Sequence, residues 1–433
     1  MAVGADSLGG VAGVFDRLVG QHGVVDDLRA AARGALAASR RLSEHAAGEV
    51  SMFGSEAGQS TDMAAGERAA MTHSWLFTGP PGSGRSVAAT SFAAALQCHS
   101  ESDLGCGECR ACTTVMNRTH ADVRHVVPQG LSLSVAEIRD VVQAAARRPA
   151  TGRWQIVVVE DADRLTEAAA NALLKVVEEP PERTVFLLCA PSVDPEDISV
   201  TLKSRCRHVA LAIAPAADIE RVLVERDGID QANAAWAASV CGGHIGRAKR
   251  LATDQAAREQ RLAALGLARA AAVPARAYAA AEELVKSAED AAKAINEQRN
   301  EAEVEELMTA FGAGGTGKGT ARATRGSAGA IKDLERRQKS RATRTSRDVL
   351  DLALMDLAGL FRDALVVASG ARVTAMHPDQ AEQVAGLAGY ASSRQLLACM
   401  DAVLECREVL DYNVKPKFAV DAMVAKIGQA LAR

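Results

Sequence analysis

The sequence predicts an α/β fold: a five-stranded parallel sheet covered by helices on both faces, followed by a wholly helical remainder. Three observations carry this. Five short apolar runs, at Trp75–Thr78, Val123–Val127, Trp154–Val159, Thr184–Cys189 and Val209–Leu211, alternate with helical patterns. Continuous apolar runs, rather than strict alternation, are what a strand buried on both faces requires. The first run feeds the turn Gly79-Pro80-Pro81-Gly82-Ser83-Gly84-Arg85-Ser86, and a helical stretch follows it directly. Beyond residue 211 the chain becomes alanine-rich with helical spacing, and aromatic residues make up only 3% of the whole, so little there reads as sheet.

Composition bounds the function classes. A chain of 433 residues predicts two to four domains. The formal net charge is -4, which gives no whole-molecule attraction to nucleic acid. No run of about 18 apolar residues occurs, so no membrane helix is expected. No charged segment followed by an apolar core opens the sequence, so an export signal is not expected and the cytoplasm is the expected compartment. Four of the nine cysteines fall between 98 and 112, and without export a metal site is favoured over disulfides.

Residues 1–10 are expected to lack structure, and a helix is expected over 22–42. Residues 43–72 are polar and Gly/Ser/Ala-rich, the pattern of an insertion. The turn at 79–86 fits the phosphate-binding pattern G-x-x-x-x-G-K-[ST] at Gly79, Gly84 and Ser86, with Gly82 between them. Glycines let backbone N–H groups close on an anion, and the helix N-terminus adds partial positive charge. Position 85 departs from the pattern: Arg85 stands where lysine is expected, and a planar guanidinium cannot act as a compact point charge against phosphate. Cys98, Cys106, Cys109 and Cys112 follow with the spacing C-x7-C-x2-C-x2-C. Four thiolates on a tight glycine-bearing loop suit structural tetrahedral zinc; an iron–sulfur cluster is the competing reading. Ser134 and Glu137 form a capping-box pattern opening a helix over 134–148. The third apolar run ends in Glu160-Asp161. Paired acids at a strand end can hold Mg²⁺ and orient an attacking water, but the usual order is Asp then Glu. A helix over 165–177 ends at Pro180-Pro181.

These pieces together resemble the clamp-loader branch of the AAA+ ATPases, among the subunits of bacterial DNA polymerase III. The resemblance rests on Val19-Gly20-Gln21, the Gly79–Ser86 loop, the four-cysteine insertion, Asn171-Ala172-Leu173-Leu174-Lys175 with Glu178-Glu179-Pro180-Pro181, Ser204-Arg205-Cys206 and Gly246-Arg247-Ala248. It implies an AAA+ P-loop domain over 11–211 with an insertion at 43–72 and the zinc loop at 98–112. A small helical lid at 212–253 and an all-α collar at 254–433 follow. It implies a five-subunit ring that loads a sliding clamp onto primed DNA, with motor ATPase subunits and a clamp-opening subunit as partners. Arg205 matches the family's arginine finger, acting in trans on ATP and Mg²⁺ held by a neighbour. Arg247 matches a second sensor arginine. Arg85 and the reversed Glu160-Asp161 point to a subunit whose own ATPase is weak or absent; a motor-type ATPase subunit is the alternative.

One tract stands outside the resemblance. Residues 312–347 read as a flexible linker, opening on Gly312-Ala313-Gly314-Gly315-Thr316-Gly317-Lys318-Gly319, an imitation phosphate loop with no strand before it. Ten basic residues there face only Asp333 and Glu335, so the tract is either a solvated basic segment or a salt-sensitive nucleic-acid contact.

Overall fold

A computed structural model of the chain describes residues 13–48, 72–310, 320–412 and 414–432. The expected unstructured start at 1–10, most of the 43–72 insertion and the imitation loop at 312–319 lie outside the described residues. The chain forms two compact units. One comprises residues up to Pro128, Ser132–Val222 and Gly243–Ile245; the other comprises Gln129–Leu131, Leu223–Gly242 and Gly246–Arg433. The segment 212–253 contributes to both.

The first unit is the α/β part. Its strands β1 (Ser74–Thr78), β2 (Val123–Val126), β3 (Gln155–Val159), β4 (Thr184–Ala190) and β5 (Arg207–Ala210) form one five-stranded parallel sheet in the order β2-β3-β4-β1-β5. The three central strands β1, β3 and β4 are buried along their whole length. Successive residues divide between two cores, as the period-2 geometry of a strand demands. Trp75 and Phe77, Ile156 and Val158, and Val185 and Leu187 enter one core. Leu76, Val157 and Val159, and Phe186 and Leu188 enter the other. The first core is closed by α1 (His22–Gly48) and α2 (Arg85–Gln97), the second by α4 (Val135–Ala145) and α5 (Glu167–Glu178). Between α2 and β2 the cysteine segment forms the short helix α3 (Arg110–Met116); α6 (Val200–Lys203) precedes β5, and α7 (Ala216–Glu225) follows it.

Local signals account for the ends of these helices. Ser134 caps α4 in the expected capping box with Glu137, and Thr166 caps α5 by accepting from Ala169 N. Helix α1 continues to Gly48, so the expected insertion at 43–72 begins as helix and not as irregular chain.

The second unit is helical: α8 (Gln231–Val240), α9 (Ile245–Thr253), α10 (Gln255–Ala270), α11 (Pro274–Ala310), α12 (Thr320–Ala368), α13 (Ala381–Tyr390), α14 (Ser393–Asp411) and α15 (Pro416–Leu431). Its core runs through Leu284, Leu354, Phe361, Leu396, Val403 and Val420. The expectation of a flexible tract over 312–347 is corrected from Thr320 on, because that stretch is the first part of α12. Leu334 is buried, Arg341 donates to Glu303 Oε1 at 2.8 Å and to Asn300 Oδ1 at 2.7 Å, and Gln338 donates to the Asn300 carbonyl. Arg347 serves the end of α14, donating to the carbonyls of Leu410 and Val414. The basic run is thus partly consumed by acids and carbonyls of its own unit. Arg407 grips Asp351 with two hydrogen bonds.

Asp122 ties the N-terminal end of the sheet's β2 edge to the turn before β3. It is buried and accepts from the backbone N–H groups of Ala150, Thr151 and Gly152 and from the Thr151 hydroxyl, at 2.6–2.8 Å. Burial alone would raise this carboxyl; the donors outweigh it and hold it below the ordinary range. Asp122→Ala strands these donors and is expected to cost about 2–4 kcal/mol in denaturant unfolding. The stabilisation is present above about pH 3.9 and is lost as pH falls through the lower folded-state value, so wild type and variant should converge in strong acid.

Candidate functional site

The phosphate loop leaves the C-terminal end of β1 and enters α2. Gly82 and Gly84 have φ of +88° and +90°, left-handed conformations that glycine adopts without strain. A Cβ on Gly82 would stand 2.5 Å from the Cβ of His244, so this glycine also admits a close neighbour. Gly79 N donates to the Pro191 carbonyl at 3.1 Å, and Ser83 N to Pro80 at 3.0 Å. The loop shape expected from Gly79, Gly82, Gly84 and Ser86 is therefore present.

Its charges are engaged internally. Arg85 Nη1 donates to the Gly79 carbonyl at 2.8 Å, folding the guanidinium back on the loop that bears it. Glu160, at the end of β3, is largely buried and pairs with Arg118 at 2.7 Å; His125 Nδ1 of β2 lies 3.5 Å from the same carboxylate oxygen. Burial works against ionisation of Glu160, but His125, Arg118 and the Ser86 hydroxyl together hold its carboxyl below the ordinary range. Asp161 follows in a left-handed conformation, φ +53°, opening the 3-10 turn Ala162–Arg164. Burial and the neighbouring charge of Asp161 push Asp163 up to about 6. The structure thus brings Arg85, Ser86, Glu160 and Asp161 to one edge of the sheet. Arg118, His125, Asp163 and His244 join them there without belonging to any motif legible in the sequence.

Arg205 lies in the turn between α6 and β5. Its Nε donates to Glu178 Oε1 at 2.6 Å, and Nη1 donates to the Thr201 carbonyl at 3.0 Å. About a third of its side chain remains exposed. Arg247, on α9 in the second unit, forms a close ion pair with Asp356 of α12, whose side chain is almost fully buried.

The cysteines converge. Sγ atoms of Cys98, Cys106, Cys109 and Cys112 all lie within 4.8 Å of one another. Cys98 Sγ is 3.7 Å from Cys106 Sγ and 3.9 Å from Cys109 Sγ. A tetrahedron with Zn–S bonds of about 2.3 Å has edges of about 3.8 Å, so the spacing fits that ion. Cys109 N donates to Cys106 Sγ and Cys112 N to Cys109 Sγ, both at 3.4 Å, which holds the backbone around the sulfurs. Hydrogen bonding with Cys112, against the effect of burial, pulls the Cys98 thiol well below its ordinary range.

No helix among the described residues is long and apolar enough to cross a membrane. Residues 63–214 match the sequence family described as DNA polymerase III, delta subunit. The chain is 37% identical over 155 residues to DNA polymerase III subunit delta' of Pseudomonas aeruginosa, covering 35% of this chain and 47% of that protein. It is 36% identical over 146 residues to subunit delta' of Escherichia coli, covering 33% and 43%. It is also 36% identical over 138 residues to subunit tau of Bacillus subtilis, covering 32% and 24%. The matched stretch spans less than half the length of each of these relatives. The stretch that holds the phosphate loop, the cysteine cluster and Arg205 is thus similar to the delta' and tau subunits of DNA polymerase III.

Proposed function

We propose that the chain acts as the delta-prime, or stator, subunit of a DNA polymerase III clamp loader. In this reading it joins motor ATPase subunits and a clamp-opening subunit in the cytoplasm to place the sliding clamp on primed DNA. The lid at 212–253 and the collar at 254–433 serve that assembly. The observation that carries the reading is Arg85 folded onto the Gly79 carbonyl: the loop's own cation is spent on its own backbone. Glu160 is likewise neutralised within the chain by Arg118. Weak or absent ATP turnover by this subunit follows from those two contacts.

Arg205 is the residue the chain lends. It is held at the surface by Glu178, another exposed side chain, and a solvent-accessible pair of this kind contributes only about 0–1 kcal/mol. Exchanging Glu178 for a neighbour's triphosphate is therefore inexpensive. A guanidinium placed against a γ-phosphate stabilises the charge of the transferred group and is worth about 10³–10⁵ in rate. The match to subunit tau keeps the alternative, a motor-type ATPase, in view. The isolated chain separates the two: negligible ATP turnover is expected, and brisk turnover lost in Arg85→Ala would establish the alternative.

Zinc is proposed for the four cysteines, in a structural role with no open coordination position. The four thiolates would hold it and fix the segment between α2 and β2. The bound ion supplies a crosslink and no chemistry.

Two measurements test these assignments. In the reconstituted loader, Arg205→Ala is expected to lower DNA-stimulated ATP hydrolysis by about a thousandfold at the site it serves, with little change in the subunit's thermal stability. An undiminished rate rejects the finger. Metal analysis is expected to return about one zinc per chain, and Cys109→Ser is expected to release it and to loosen residues 98–120 in hydrogen exchange.

A further inference from the structure

Arg118 has no part in the phosphate-loop pattern or in the arginine-finger reading, yet it makes a close charged contact beside the phosphate loop. Its Nη2 stands 2.7 Å from Glu160 Oε1. In a working phosphate loop, the hydroxyl after the loop's basic residue and the first acid at the strand end share a divalent cation. Here Glu160 has a guanidinium of the chain's own beside it. We propose that Arg118 is a built-in counter-ion that takes the place of a divalent cation at Glu160 and closes the chain's own loop to metal-bound nucleotide.

Three further features support this. Glu160 Oε1 is inaccessible to solvent, and a buried carboxylate of this kind demands a compensating positive charge. The imidazole of His125 faces the same oxygen, but its nearer nitrogen stands 3.5 Å away without a hydrogen bond, so the guanidinium of Arg118 is the closer group. The backbone at Arg118 has φ +60°, a left-handed conformation uncommon for a side chain of this size. It is held by what precedes it. Arg118 N donates to Val115 O at 2.9 Å and Thr119 N to Thr114 O at 2.8 Å, both at the end of α3. Helix α3 starts at its N-cap Cys109, whose Sγ accepts from Cys112 N. The cysteine segment therefore presents Arg118 to Glu160 in a strained conformation that the surrounding contacts impose.

The inference rests on the reading that this subunit's own site is not the working ATPase, and the test separates the two. Manganese(II) is the probe, titrated into the full-length zinc-loaded chain and followed by electron paramagnetic resonance. Arg118→Gln is expected to acquire a Mn²⁺ site at least about tenfold tighter than any in the wild type, since a competing unit charge is removed a few ångströms away. The double variant Arg118→Gln/Glu160→Gln is expected to lose that site. Arg118→Gly serves as the second variant, because glycine suits φ +60° and preserves the fold if the glutamine variant does not. Folded Arg118→Gln or Arg118→Gly protein that titrates like wild type overturns the proposal while leaving the stator reading intact. Tight Mn²⁺ binding through Glu160 together with ATP turnover in the unaltered chain removes both.

Discussion

The parallel pairing of β1 with β4 and of β3 with β4 is the constraint on which the first unit depends. A strand with parallel neighbours and helices on both faces has no side left for water, so every residue of β1, β3 and β4 is buried. Polar groups can then appear only where the strands end. Parallel strands all end on the same edge, and the loops leaving that edge are where an α/β sheet does its chemistry. Gly79 and Glu160 share that edge for this reason: each is the first residue beyond an apolar run. The register, Val159 opposite Leu188 and Thr78 opposite Ala190, sets how far apart the two strand ends lie.

At that edge, the balance of charge decides between binding a ligand and being complete without one. A loop that binds a metal-bound triphosphate keeps a positive group free for phosphate and a negative group free for the metal. In this chain Arg85 is turned to a carbonyl and Glu160 to Arg118. Both contacts use groups that a nucleotide would otherwise use, so ligand entry would have to break them first. Arg205 differs in kind. Its partner Glu178 is itself exposed, so solvent screens the pair and its loss costs little. Arg118 and Arg205 are both partly exposed, and burial of the carboxylate partner makes the difference.

Much of this was legible in the sequence because it follows from short-range rules. The five apolar runs became the five strands, the capping box at Ser134 and Glu137 formed as expected, and the cysteine spacing brought four sulfurs together. What was not legible depends on pairs far apart in the chain. Arg247 meets Asp356, Arg407 meets Asp351 and Arg341 meets Glu303; no spacing rule reaches across such separations. The basic tract shows the consequence. Counted along the chain it is an excess of charge; in the folded unit Arg341 and Arg347 are side chains that join helices. Glycines and a run of arginines suggested a linker, whereas the acids of α11 supplied the partners that make α12 continue through it.

The cysteine segment links these two kinds of information. A helix as short as α3 is not stable alone in water, because nucleation fixes several residues for one hydrogen bond. Ala111, Cys112 and Val115 give it a buried face, and Cys109 caps it. With both ends held, the turn after it has little freedom, and Arg118 can be kept in a left-handed conformation that a free loop would relax. The four cysteines are visible in the sequence from their spacing. Their effect on Glu160 is not, because it passes through the direction in which a constrained turn releases the chain.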